Sequence, residues 1–172
     1  MKSVGFKAVA YEDASVLVLG SLPGKTSLEK REYYAQARNA FWPIMGDLVG
    51  ASPQLAYAER LLCLKKNGIA LWDVCAAAER AGSLDSEIRF GTVEPNDFLE
   101  FFEIHRHIRL ICFNGARAAL LYERKVLSDL PDEIQAIPRK ILPSTSPAHA
   151  GMPFKQKLFR WRAVIRDSLS NT

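Results

Sequence analysis

Three short runs of consecutive apolar residues constrain this chain more than any other feature: "SVLVLG" (15–20), "GIALWDV" (68–74) and "IRLICFNG" (108–115). Each is apolar at nearly every position rather than at alternate ones, and each is too short for a buried helix. A strand that is apolar on both faces needs cover on both, as in a parallel sheet flanked by helices. "RKIL" (139–142) predicts a fourth, shorter strand. Between the runs, apolar residues recur at helical spacing. Leu55, Leu61, Leu62 and Leu64 form one stripe, and Ala118, Leu121, Tyr122 and Val126 another. Phe98, Leu99, Phe101 and Phe102 follow Pro95, which is expected in a first helical turn. Phe154, Leu158, Trp161, Ile165 and Leu169 form the last stripe, with lysines and arginines around the rest of that helix. The expectation is one α/β domain over residues 1–172 with a mostly parallel sheet, and with no repeat, linker or low-complexity segment.

In such sheets, ligands bind outside the carboxyl ends of the strands. Here those ends run into "GSLPGKTS", "WDVCAAAE", "FNGARA" and "LPSTSPAHA", so the unusual loop chemistry is predicted to gather on one edge. Gly20 and Gly24, with Pro23 stiffening the turn between them, stand one residue too close for a P-loop. Ser144 lacks the G-x-S-x-G context of a hydrolase nucleophile. In "LPSTSPAHA", Pro143 and Pro147 exclude a helix interior or a central strand. Three hydroxyls and His149 remain, readable as a plain surface loop or as a Ser144–His149 pair. The net charge of +4 and pI near 9.0 permit an anionic partner without requiring one. Cys63, Cys75 and Cys112 are odd in number and dispersed, which argues against disulfides, zinc or an iron–sulfur cluster and for reduced thiols in a cytoplasmic protein. No apolar run is long enough to span a membrane, and "MKSVGFKAVAYED" reads as no signal peptide.

"VLGSLPG", "YYAQARNAFWPI" and "LPSTSPAHA", in this order and spacing, resemble the uracil-DNA glycosylase superfamily. "GIALWDV", "AGSLDSEIR", "EPNDF" and "CFNGARAA" resemble, within it, the DNA-deoxyinosine (hypoxanthine-DNA) glycosylase branch. The resemblance covers about residues 15–162. It implies a three-layer α/β/α domain with a four-stranded parallel sheet, acting as a monomer on DNA without metal or cofactor. The implied reaction is hydrolysis of the N-glycosidic bond of a deaminated base, hypoxanthine first and uracil second, after the base has left the stack.

Roles for individual residues follow from the same resemblance, each beside a plainer alternative. Tyr34 stands where relatives stack an aromatic ring on the base, or else is a core aromatic beside Tyr33. Asn39 in "RNAFW" matches the catalytic asparagine of the branch, or caps the helix that follows. As an amide it orients water and the leaving base rather than accepting a proton. Asp73 is expected to read the base edge, with Trp72 lining the pocket; its alternative is a helix cap. Burial beside apolar residues is expected to raise the Asp73 pKa. Asn114 is expected at the base or as a cap, and Leu22 and Pro23 at the pocket wall. Ser21, Lys25, Ser144, Thr145, Ser146, Pro147 and His149 are expected to hold DNA, the last loop as a stiff wedge and phosphate clamp. Asp85 in "SLDS" resembles the branch or only sets a turn, and His105 and His107 read as surface residues away from the site.

The chain departs from the wider family at three places. Leu22 stands where other branches carry the Asn or Asp that activates water, Gln36–Ala37 replaces His-Pro, and Leu142 stands where uracil-specialised members begin the last loop with a catalytic histidine. The first departure motivates a competing reading, a non-catalytic nucleic-acid-binding module. A small-molecule hydrolase using Ser144 and His149 is the third.

Overall fold

The computed structural model describes residues 2–170. Its strands are β1 (Lys2–Val4), β2 (Val16–Gly20), β3 (Ile69–Asp73), β4 (Cys75–Glu79), β5 (Glu94–Pro95), β6 (Leu110–Asn114) and β7 (Arg139–Leu142). Its α-helices are α1 (Lys25–Lys30), α2 (Phe41–Val49), α3 (Tyr57–Lys66), α4 (Phe98–Ile104), α5 (Ala116–Lys125), α6 (Asp132–Gln135) and α7 (Phe154–Ser170). The four expected strands form one all-parallel sheet in the order β3-β2-β6-β7. Every residue of β2, β3 and β6 is buried, which is why these runs are continuously apolar.

Alternation along the strands divides the interior into two cores. Leu17, Leu19, Ala70, Ile111 and Phe113 meet α4 and α5 through Phe98, Phe101, Phe102, Leu121 and Tyr122. Val16, Val18, Ile69, Leu71 and Cys112 meet α2, α3 and α7 through Phe41, Ile44, Leu64, Trp161 and Ile165. The result is three layers, α/β/α. Among the described residues no helix is long and apolar enough to cross a membrane. The cysteines are free thiols, Cys75 and Cys112 buried and Cys63 half-buried.

Two local expectations are corrected. Residues 75–79, expected to be part of a loop, form β4 at the centre of a second, antiparallel sheet ordered β1-β4-β5. An alanine-rich segment has weak strand propensity of its own, so pairing on both sides makes the strand. Pro95 lies in β5 rather than in a first helical turn, and Asp97 caps α4 by accepting from Glu100 N at 2.9 Å. As an edge strand, β5 tolerates a residue with no N–H.

Candidate active site

The sheet order reverses direction beside β2, since β3 joins on one side and β6 on the other. Register pairs Gly20 with Asp73 and Asn114 with Leu142, so four strands end at one edge. A cavity of about 870 Å³ opens there, at the switch point where α/β sheets hold ligands. Ser21, Leu22, Pro23, Lys25, Tyr34, Asn39, Asp73, Asn114, Ser144, Thr145, Ser146, Pro147 and His149 all line it. Trp72 does not, which corrects that expectation. Strand alternation turns its ring to the opposite face from Asp73, where it stacks on Phe101 at 5.0 Å and donates to Phe6 O at 3.1 Å.

Asp73 is 3% exposed and its Oδ2 is buried without a hydrogen-bond partner. Burial first, then the neighbouring Asp85 carboxylate, raises its pKa to about 8; the Tyr33 hydroxyl and Arg80 act in the opposite sense. Gly20 makes this placement possible, because a Cβ there would collide with the Asp73 carboxylate. Asp73 caps no helix, since the chain continues directly into β4.

Tyr34 adopts a left-handed φ of 55° in the turn before α2. Its ring stacks on Phe41 with centroids 4.0 Å apart, and its hydroxyl is buried without a hydrogen-bond partner. Burial and the nearby Asp73 hold that hydroxyl in its neutral form, far above the ordinary tyrosine range. Asn39 precedes Ala40, the N-cap position of α2. Its Oδ1 accepts from Phe41 N at 3.0 Å at the start of α2, while the residue lines the cavity. That bond engages the amide oxygen and not the Nδ2 donors.

Asn114 and Thr145 are committed to each other. Asn114 Nδ2 donates to Thr145 Oγ1, and Thr145 N donates to Asn114 Oδ1, both at 2.8 Å. Thr145 is 1% exposed, so its hydroxyl is structural and not a phosphate ligand, contrary to expectation. Asn114 is likewise no cap; Gly115, with a left-handed φ of 97°, precedes α5. A side chain at Gly115 would meet Ser144 Cβ at 3.0 Å, so the last loop packs directly on this glycine. Ala40 N donates to Thr145 O at 2.9 Å, tying the Asn39 turn to that loop. Within the loop, Ser144 Oγ accepts from Ser146 N and Ser146 Oγ from Ala148 N, each at 3.2 Å. His149 is exposed, and no hydrogen bond joins it to Ser144. Lys25 is also exposed, 4.0 Å from Glu29.

Sequence reasoning missed the groups that brace this edge. Arg80 is 4% exposed and donates to Leu22 O at 3.3 Å and Pro23 O at 2.6 Å, fixing the first loop. Asp85, read above as branch-like or a turn residue, reaches the cavity, where Ser21 Oγ donates to it at 3.0 Å. Arg117 lines the cavity and donates to Ile88 O at 2.8 Å. The one available signal for Arg80 was an arginine closing an otherwise apolar run, "CAAAER". His105, expected at the surface, is half-buried against Phe101, and its Nδ1–H donates to Tyr11 O at 3.0 Å.

The chain is similar to known proteins along nearly its whole length. The family model described as the uracil DNA glycosylase superfamily matches residues 6–168. A protein of Methanosarcina acetivorans named hypoxanthine DNA glycosylase is 42% identical over 163 residues, covering 94% of this chain and 97% of its own. One of the same name from Methanosarcina barkeri is 38% identical over 136 residues, 74% of this chain and 85% of its own. Among solved structures, the solution NMR structure of a Methanosarcina acetivorans protein described under the name uracil DNA glycosylase superposes with a TM-score of 0.80. It is 38% identical and covers 98% of this chain and 99% of its own. With a family match spanning nearly the whole sequence and the three-layer fold in place, the chain belongs to the uracil DNA glycosylase superfamily.

Proposed function

We propose that the protein is a hydrolytic DNA glycosylase that removes hypoxanthine, and uracil second, from DNA. The observation that carries this reading is a pair of buried polar atoms at one cavity wall, Asp73 Oδ2 and Tyr34 Oη, with no partner within the protein. Such groups cost roughly 1–3 kcal/mol each when left unsatisfied, so a site that keeps two is arranged for a polar ligand. The names carried by the relatives support the base: two are named for hypoxanthine and one solved structure for uracil.

In this reading the base leaves the stack and enters the cavity, with Phe41 behind the Tyr34 ring and the base on its free face. Below about pH 8 the Asp73 carboxyl holds a proton, so it donates to a nitrogen or carbonyl oxygen of the base edge. The Asn39 amide donates to the leaving base or orients the water. The C1′–N bond breaks with its electron pair going to the base. Water then adds at C1′, and its proton ends on the released base, leaving an abasic site. Hydrogen-bond donors fixed in advance stabilise the negative charge developing on the base and do not need a strong base at Leu22. The reaction so written needs no cofactor and uses the whole chain as one catalytic domain, working as a monomer on DNA in the cytoplasm.

The test is a panel of duplexes carrying hypoxanthine, uracil or xanthine, read as strand breakage after alkali. Release of hypoxanthine ahead of uracil is expected, and faster release of uracil overturns the base assignment. Leu22, 4% exposed and apolar, keeps the non-catalytic module as the second reading. Tight, salt-sensitive DNA binding with no release of any base selects it.

A further inference from the structure

Deamination rewrites one edge of a base. Adenine and cytosine present a ring nitrogen that accepts beside an amino group that donates. Their deaminated products present a ring N–H that donates beside a carbonyl that accepts. A wall with one fixed acceptor next to one fixed donor therefore fits the products and opposes the parents. The large cavity is lined by two carboxyls, Asp73 and Asp85. We infer that Asp85 is a specificity-determining residue: its carboxylate accepts the N1–H of hypoxanthine while the Asp73 carboxyl donates to the adjacent O6. The inference rests on the larger cavity being the base site.

Three observations carry it. The two side chains are brought together by one short stretch of backbone. Gly20 pairs with Asp73 across β2 and β3, and the next residue, Ser21, donates from Oγ to Asp85 Oδ2 at 3.0 Å. Asp85 is also fixed from its own side, in a 3₁₀ turn, Asp85–Glu87, closed by Ile88 N donating to Asp85 O at 3.3 Å. Secondly, each carboxyl keeps one oxygen uncommitted. Asp73 Oδ2 is buried with no partner, and among the described residues Asp85 Oδ1 makes no hydrogen bond. Thirdly, the two environments divide a proton between the groups. Burial and the Asp85 charge push the Asp73 carboxyl up to about 8, so Asp73 is the acid. Burial raises Asp85 as well, but the Ser21 hydroxyl, Arg80 and Arg117 favour its ionised form. Neighbouring carboxyls in such unlike surroundings settle as one acid and one carboxylate.

Adenine or cytosine in the same place sets a lone pair against the Asp85 carboxylate and an amino group against the Asp73 O–H. Both protein groups then go unpaired, a mismatch that polar sites reject strongly. Uracil and xanthine carry the same N–H and carbonyl edge as hypoxanthine. Guanine carries it too and is spared by its pairing with cytosine, which makes extrusion costlier.

The test pairs a protein substitution with a base substitution. Duplexes carry hypoxanthine or 1-deazahypoxanthine, in which C–H replaces N1–H, each on a 2′-fluoroarabino sugar that resists cleavage so that binding is read alone. Dissociation constants are measured for wild type and Asp85→Ala at one salt concentration. Wild type is expected to bind the hypoxanthine duplex roughly ten- to a hundredfold tighter than the 1-deaza duplex, the range for a hydrogen bond to a charged group. Asp85→Ala should bind the two alike, and no tighter than wild type binds the 1-deaza duplex. If Asp85→Ala weakens both duplexes by the same factor, Asp85 only braces the first loop through Ser21 and the inference is overturned. Equal binding of the two duplexes by wild type overturns it as well, and that result needs no variant that folds. Repeating the pair on the cleavable sugar separates this inference from the catalytic reading. Coupling in a protein that releases no base keeps Asp85 as the edge reader and rejects the glycosylase, whereas release of hypoxanthine without coupling does the reverse.

Discussion

Asp73→Asn isolates the energetic cost of the buried carboxyl. Burial and Asp85 raise the folded-state pKa of Asp73 from 3.8 to about 8, whereas in the unfolded chain it titrates near 3.9. Between those values the folded protein holds a proton that the unfolded chain has released. The stability contributed by this group is therefore fully present below about pH 4 and is lost as pH rises towards about 8. The slope approaches about 1.4 kcal/mol per pH unit, so the full window amounts to on the order of 5 kcal/mol. Asparagine has the same shape and does not titrate. The stability difference between Asp73→Asn and wild type should be small near the acid end of the window. It should favour the variant by several kcal/mol near the alkaline end. Urea denaturation at a series of pH values measures both, and the difference curve removes groups common to the two proteins. Parallel curves refute the reasoning. So does wild type gaining on the variant as pH rises, which would mean an ionised carboxylate held by Arg80.

Other substitutions separate roles that overlap in one residue. Asn39→Asp keeps an acceptor for Phe41 N but loses the amide donor, so stability should hold while excision falls about a hundredfold or more; Asn39→Ala should additionally lose about 1 kcal/mol of capping, read by urea denaturation. Thr145→Val removes the acceptor of Asn114 Nδ2 at nearly constant shape, leaves the backbone half of the pair, and should cost about 1–3 kcal/mol in the same assay. Tyr34→Phe deletes a buried hydroxyl with no protein partner, so it should leave stability equal or raise it by up to about 1 kcal/mol. The same change should weaken binding of a hypoxanthine duplex by about tenfold, seen in titration.

The sheet was legible because burial on both faces writes itself into a strand as uninterrupted apolar sequence, as in "VLVLG". The loops at the strand ends were legible through their glycines, prolines and polar residues, and the cavity gathers nearly all of the residues singled out there. Trp72 and Thr145 were misassigned for different reasons. Neighbours on a strand alternate in facing, so proximity to Asp73 does not say which way Trp72 turns; Thr145 lines the cavity, but its hydroxyl is engaged by Asn114, a partner 31 residues away. Arg80 and Arg117 were missed because an isolated basic residue looks like solvated surface until its long-range neighbours are known. Arg80 donates to carbonyls 57 and 58 residues away, a contact no local pattern encodes. Asn39 was ambiguous in sequence because the residue meets both surroundings: its oxygen accepts from the start of α2, and it also lines the cavity.

The central claim is that this cavity breaks an N-glycosidic bond and that Asn39 takes part. Single-turnover release of hypoxanthine from a duplex, with enzyme in excess, tests it for wild type beside Asn39→Ala. The account predicts an abasic product from wild type and a rate lower by about a hundredfold or more in the variant, with lesion-DNA binding retained. Equal rates for the two proteins, or tight binding by wild type without base release, would contradict it.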